Sequence, residues 1–379
     1  MVAVRGGTLR FRIAHSPDGY LRPGGVVRTA LLVLVISNPP IDLRRNATRD
    51  RACDGERPLT NFPKPTIVIS KCIGFDSCRY NGGIVHDKFV ARLTPHIEVI
   101  SVCPEVEIGL GIPRAPVRII CCGDESKLIQ PSSGLNLSES MRGFTSGFLD
   151  TLGKVDGFIL KNRSPSCGFT DVKFYSGPEK GPAIGRTAGL FGGAVLEKFG
   201  DLAVEDEGRL KNLSIREHFL TRIFALARLR KLQQSGSMHG LERFHSLHHL
   251  LLMAYSQTKL SELERIVANA DGERTAIVLD LYARYFREAL GKPVRRASPI
   301  AVLMYALGHL KKRLSTSEKL HFLEILESYR RGRTPLCSAA SILRSWVIRF
   351  KSTYLREQTF FNPFPEELMT LDDSGASRT

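Results

Sequence analysis

The chain has 379 residues, enough for two domains at roughly 100–200 residues each, and its 8 cysteines are too sparse for a small disulfide scaffold. A formal net charge of +16 points to a polyanionic partner. The longest apolar run, Ala30 to Ile36, falls far short of the roughly 20 residues that span a bilayer. With no membrane span and no secretory signal peptide, the expected setting is the cytoplasm, where thiols stay free or bind metal.

Residues 1–63 are rich in Arg, Gly and Pro with no sustained period, and read as a poorly ordered basic extension. From Thr66 short β-branched runs alternate with helical stretches, the pattern of βαβ units. Strands are expected near Thr66–Lys71, Ile97–Val102, Val117–Cys121 and Gly157–Lys161, and helices over Val85–Leu93, Ser138–Leu152 and Arg186–Phe199, with Ser138 as an N-cap. The fold class is therefore α/β: a parallel, Rossmann-like catalytic domain over 64–205. The proline-rich connection Gly109 to Pro116 is expected to be extended and to wall the ligand crevice. Asp201 to Arg209, with its acidic run Glu205-Asp206-Glu207, reads as a hinge between domains.

Beyond the hinge, apolar residues recur at three and four, as in Phe219, Ile223, Leu226 and Leu229, the helix period. Seven amphipathic helices are expected: Ser214–Leu232, Gly240–Tyr255, Ser261–Ala270, Arg274–Leu290, Pro299–Leu314, Ser317–Arg330 and Pro335–Arg349. This makes an all-α domain over 206–362, followed by a disordered tail at 363–379. Lys and Arg number 17 against 17 Asp and Glu over residues 66–213, but 23 against 11 over 214–349, so the positive excess belongs to the helical part. Its clusters are Arg228 to Lys231, Arg295-Arg296, Lys311 to Arg313 and Arg330 to Arg333. His245 and His249, four apart beside His248, lack a third separated ligand and read as satisfied surface residues.

The candidate chemistry lies at strand ends. Cys72, Cys103 and Cys167 each follow the carboxyl end of an expected strand. In a parallel sheet those ends share one edge, where ligands bind. Three thiolates can hold an iron-sulfur cluster and leave one iron open, as a catalyst requires. The alternative is that they are small buried hydrophobes, the reading preferred for Cys53, Cys121, Cys122 and Cys337. Cys78, close to Cys72, is a further candidate ligand.

Three ordered blocks carry a resemblance. Lys71-Cys72-Ile73-Gly74 with Arg79-Tyr80-Asn81-Gly82, then Val102-Cys103-Pro104-Glu105-Val106 with Gly109 to Arg114, then Ser164-Pro165-Ser166-Cys167-Gly168, together resemble the thiouracil desulfidase family over roughly residues 64–205. The helical remainder resembles the YbgA-type domain, and the pairing resembles bacterial desulfidases acting on 4-thiouridine in transfer RNA. The resemblance implies a 4Fe-4S cluster on Cys72, Cys103 and Cys167, Glu105 as catalytic carboxylate, and Ser164 as catalytic serine with Ser166 the second choice. Cys78 departs from single-domain members, which lack a thiol there. Glu105 can also be read as a loop carboxylate paired with Arg79 or Arg114, Ser164 as a hydroxyl capping its loop, and Arg79, Tyr80 and Asn81 as either substrate contacts or turn residues.

The expected activity is thus non-redox removal of sulfur from a thiolated uracil, C=S becoming C=O, with transfer RNA docked on the basic helices. Two alternatives stand beside it. One is the same chemistry on free thiouracil or another small thio-compound; the other is a nucleic-acid-binding protein with a purely structural metal cluster.

Overall fold

Runs of β-branched residues bounded by turn residues open the ordered part of the chain. The computed structural model describes residues 62–369 apart from 123–124, 180 and 270–273, and Cys53 lies outside them. The strands are β1 (Thr66–Ser70), β2 (Glu98–Val102), β3 (Arg118–Cys122), β4 (Glu125–Gln130), β5 (Leu135–Asn136), β6 (Gly157–Leu160), β7 (Val172–Tyr175), β8 (Gly185–Thr187) and β9 (Ala203–Asp206). The helices of this part are α1 (Lys88–Leu93), α2 (Pro104–Glu107), α3 (Ser138–Thr151) and α4 (Leu190–Phe199).

Four strands form a parallel sheet in the order β2-β1-β6-β9. Ile67, Val68 and Ile69 are fully buried, as an all-apolar run in a parallel sheet should be. Ser70 pairs with Val102, and Leu160 with Asp206, so the carboxyl ends lie level. The chain passes from β1 to β2 on one side and returns to β6 on the other, which makes the carboxyl edge beside β1 a topological switch point.

The third expected strand belongs elsewhere. Val117–Cys121 corresponds to β3, the centre of a second sheet in the order β5-β4-β3-β7-β8. β3 pairs antiparallel with β4 and parallel with β7. Two further expectations change locally. Ser138 is not the N-cap of α3 but its first residue, because its hydroxyl is used between strands, accepting from Leu128 N at 2.9 Å and donating to Asn136 Oδ1 at 2.7 Å. The third helix starts at Leu190 rather than Arg186, since Gly185–Thr187 is drawn into the sheet as β8.

The acidic run is not a hinge. Glu205 and Asp206 end β9, and each carboxylate is met: Glu205 by Arg209 Nε at 2.7 Å, Asp206 by Arg209 N at 2.7 Å, and Glu207 by Lys161.

The helical part comprises α5 (Leu213–Ser235), α6 (Met238–Tyr255), α7 (Gln257–Ala268), α8 (Thr275–Ala289), α9 (Ser298–Leu310), α10 (Thr316–Arg330), α11 (Leu336–Arg349) and the short α12 (Thr353–Arg356). The seven expected helices are all present. α5 serves two cores. Phe219, Leu220, Ile223 and Phe224 pack on Ile67, Ile69 and Phe89, while Leu226, Leu229 and Leu232 pack against α6 and α8. Each such side chain contributes about 1.5–3 kcal/mol on burial, so α5 belongs as much to the sheet as to the helices. Its far end is pinned where Asp156, buried and with its acidity weakened by that burial, accepts Thr66 N at 2.8 Å and Arg230 Nη2 at 2.8 Å.

The chain then returns to the first core. Phe364 and Leu368, expected in a disordered tail, are buried in the same cluster as Ile67, with Glu366–Leu368 forming a 3-10 turn. Phe62, expected in the extension, packs edge-on against Phe224. His245 and His248 are core rather than surface residues: His245 Nδ1 lies 3.0 Å from the Tyr282 hydroxyl, and His248 Nδ1 donates to Phe244 O at 2.7 Å. His249 is partly buried against the Tyr354 hydroxyl at 3.2 Å. Among the described residues, no helix is long and apolar enough to cross a membrane.

Candidate active site

The carboxyl edge of the parallel sheet brings together residues from three adjacent strands. Cys72 lies two residues past β1, in a turn closed by Ile73 N donating to Ser70 O at 2.8 Å. Cys103 directly follows β2 and is the N-cap residue of α2, whose first-turn proline needs no amide partner. Cys167 sits in the loop after β6. All three are buried, and their charges are felt by one another, Cys103 raising Cys72 and both raising Cys167.

The Cys167 loop is held by the start of α4. Phe191 N and Gly192 N both donate to Ser166 O at 3.0 Å, so orphan amides of the helix satisfy loop carbonyls. This approach requires glycine. A Cβ on Gly192 would lie 2.5 Å from both Cys167 O and Gly168 O, and one on Gly189 2.5 Å from Ser166 O. Gly192→Ala is expected to cost about 1–3 kcal/mol in a denaturant melt through overpacking and to speed alkylation of Cys167. Gly193→Ala, whose Cβ would meet only Ala188 Cβ at 3.4 Å, is the control and should change neither.

Burial dominates the thiols. It pushes Cys72 up to about 11, assisted by Cys103 and opposed by Lys161, and it raises Cys167 well above the ordinary thiol range. Ser70 works against the latter: its Oγ accepts Lys161 N at 2.9 Å, leaving the hydroxyl proton to hydrogen-bond Cys167. Cys78 belongs to the same group. It is buried, and burial together with Cys103 pushes its thiol up to about 12. Its carbonyl accepts Arg114 Nη1 at 3.0 Å and the Cys103 thiol at 3.8 Å.

Glu105, two residues past Cys103, is buried, and both oxygens are occupied. Arg114 places Nε and Nη2 on Oε2, each at 2.8 Å, and Ser166 Oγ donates to Oε1 at 2.9 Å. Arg114, from the expected crevice-wall segment, is thus the partner of Glu105, and its Nη2 stands 4.0 Å from Cys103 Sγ. Ser164 and Ser166 divide their roles. Ser164 Oγ accepts Ser166 N at 3.3 Å and Cys167 N at 3.1 Å, a loop-capping use, whereas fully buried Ser166 is the serine joined to Glu105. On the other flank Glu207, absent from the expected site, receives Lys161 and the Asn162 amide at 2.9 Å. Arg79, Tyr80 and Asn81 form a turn at the rim, with Arg79 over the exposed Tyr80 ring. Cys121 and Cys337 lie outside this group, Cys337 being exposed.

Among the described residues, no three His, Cys, Asp or Glu side chains close to the spacing a single metal ion needs. Thiolates holding a multi-iron cluster sit on different irons, and so do not require that spacing. The donor set fits such a cluster: several buried thiols gathered at one edge would ionise beside a cationic centre. A cavity of about 380 Å³ lined by Asp156, Leu202, Leu229 and Arg287 lies at the opposite, amino edge of the sheet and contains none of these groups.

Residues 67–207 match the family model for 2-thiouracil desulfurase, and residues 249–365 that for a protein of unknown function (DUF1722). The uncharacterized protein YbgA of Escherichia coli (strain K12) is 28% identical over 161 residues, 41% of this chain and 93% of YbgA. The uncharacterized protein YbbK of Bacillus subtilis (strain 168) is 32% identical over 137 residues, 33% of this chain and 87% of YbbK. Among solved structures, the [4Fe-4S]-dependent thiouracil desulfidase TudS is 26% identical, covers 39% of this chain and 93% of its own, and has a TM-score of 0.31. On the family match and the YbbK relationship, the chain belongs to the 2-thiouracil desulfurase family over residues 67–207 and carries a DUF1722 domain behind it.

Proposed function

We propose that the protein removes sulfur from a thiolated uracil, that its substrate is 4-thiouridine in transfer RNA, and that Cys72, Cys103 and Cys167 hold a 4Fe-4S cluster. The observation that supports this most directly is the meeting of three buried thiols with the Glu105–Ser166 pair at one sheet edge. When bound, the cluster supplies an open iron that polarises the carbon-sulfur bond and accepts the departing sulfur. The overall change, C=S plus water giving C=O plus hydrogen sulfide, needs no oxidant or reductant.

The chain's own residues have separable tasks. Glu105 takes the proton of the water that attacks the ring carbon, and Arg114 fixes its carboxylate so that one oxygen stays directed to Ser166. Ser166 takes the serine role expected of Ser164, because it alone of the two reaches Glu105. The 23 to 11 excess of basic over acidic residues in 214–349 supplies attraction for RNA phosphates. A target uridine in folded RNA must leave its stack to reach the edge. Cys72, Cys78, Cys103 and Cys167 carry free thiols, which suits a reducing, cytoplasmic setting.

The test is anaerobic incubation with transfer RNA containing 4-thiouridine, following near-ultraviolet thiocarbonyl absorbance and sulfide together. Equal loss and release are expected, and Glu105→Gln should retain cluster absorbance while slowing turnover about 10²–10⁴-fold. Sulfide from free thiouracil alone would replace the RNA substrate by a small one. No sulfide from either, with cluster absorbance intact, would overturn the enzymatic reading.

A further inference from the structure

The four basic clusters of the helical part are not equivalent once folded. Arg228 and Arg230 are turned inward: Arg228 lies over the Phe62 ring with Nη1 buried, and Arg230 is spent on Asp156 and Lys64 O. Arg295, Arg296, Arg330, Arg331 and Arg333 are exposed. The last three straddle a turn that only glycine makes easily, Gly332 at φ +76°.

Two of these clusters meet in space. α9 carries the chain away from Arg296 and α10 brings it back, so that Arg296 Nη1 lies 2.7 Å from where a Gly332 Cβ would be and its guanidinium sits over the Tyr329 ring. Beside this junction Glu327 binds Arg330 at 2.8 Å and Arg331 at 2.7 Å. Lys311 to Arg313 lie at the other end of α9, about 20 Å away along a 13-residue helix. There Arg313 is tied to Phe350 O at 2.6 Å.

The arginine group also faces the correct edge. Val294, next to Arg295, packs in the same core cluster as Tyr255, whose hydroxyl lies 3.1 Å from His218 Nδ1 in the second turn of α5. α5 begins just after β9 and Glu207, at the thiol edge, and its last turns reach Asp156 at the amino edge. The first turns of α5, and the arginines beside them, therefore stand on the side where Cys72, Cys103 and Cys167 converge.

We propose that Arg295, Arg296, Arg330, Arg331 and Arg333 form the surface that grips the phosphodiester backbone of the RNA whose thiolated base enters the thiol edge. This rests on the RNA reading above and assigns its docking face. The Lys311 to Arg313 end of the same helices lies outside that face.

The experiment measures binding of 4-thiouridine-containing transfer RNA by fluorescence anisotropy across a salt series, with the full-length protein. The triple variant Arg295→Gln/Arg296→Gln/Arg333→Gln should bind about 30-fold more weakly near 0.1 M salt. Its log-affinity against log-salt slope should shrink by about 2–3, near 0.9 per lost phosphate contact. Lys311→Gln/Lys312→Gln should stay within about threefold of the parent. All five positions are exposed, so thermal unfolding should match the parent and exclude misfolding. A triple variant that keeps parental affinity and slope, while the parent binds and desulfurises the RNA, overturns the docking face alone. A parent that neither binds nor desulfurises the RNA overturns the RNA reading itself, and the docking face with it.

Discussion

Arg114→Leu is expected to remove about 3–5 kcal/mol of folding stability, while the double variant Arg114→Leu/Glu105→Met recovers most of that loss. The Arg114 and Glu105 side chains are only 6% and 12% exposed, so both charges are largely out of water. Leucine at 114 leaves the Glu105 carboxylate with a single donor, Ser166. It also frees the Cys78 carbonyl that Arg114 Nη1 holds, with Cys103 beside it. Removing both charges at once leaves no orphan ion, so the penalty falls even though the pair is gone. Urea unfolding of the protein without iron checks this, and a single variant within about 1 kcal/mol of the parent would show that the pair is solvated in practice. The comparison also separates structure from chemistry at Glu105. Glutamine there keeps an oxygen for Arg114 but not its counter-charge, so Glu105→Gln should also lose stability, and its turnover is compared under conditions where the variant remains folded.

What could be read from the sequence follows the strength of its local pattern. The thiol edge was legible because Ile67 to Ile69 and Phe158 to Leu160 are unbroken apolar runs, and such runs belong to parallel strands whose ends coincide. The helices were legible because stripes such as Phe219, Ile223 and Leu226 repeat at the helix period over many turns. The second sheet was not. β7 and β8 are four and three residues long, too short for a period to emerge; in the first sheet, β9 ends on Glu205 and Asp206, whose charge hid the strand. The partners of the two serines were illegible for a related reason. Ser164 and Ser166 sit two apart in one loop, and only the fold decides which hydroxyl points to the backbone and which to Glu105. His245 and His248 misled because histidine has no fixed burial preference; here Phe244 of α6 and Tyr282 and Phe286 of α8 surround them.

That buried histidine pair sets the last expectation: the helical core should lose most of its stability as the pH falls from 6.5 towards 4. His248 is fully buried, and its Nδ1 proton is committed to Phe244 O, so a second proton must go to Nε2, which has no partner and feels the charge of Arg228. Burial first, and that charge second, push His248 down to about 3, and burial pushes His245 down to about 4. In the unfolded chain both titrate near 6.5. The folded values are the lower ones, so the unfolded state binds more protons in this window, and stability present above 6.5 declines as pH drops. At about 1.4 kcal/mol per unit, each histidine costs on the order of 3 kcal/mol by pH 4, a sum comparable to the 5–15 kcal/mol of a whole domain. Measurement between pH 6.5 and 5 isolates the effect, because most carboxylates remain ionised there. His248→Phe, set among the rings of Phe244 and Phe286, removes one titrating group and should flatten the decline of denaturant midpoint with pH by about a quarter to a third, since His245, His218 and His249, also pushed down by burial, remain. An unchanged slope in that variant would move the acid sensitivity away from the core of α6.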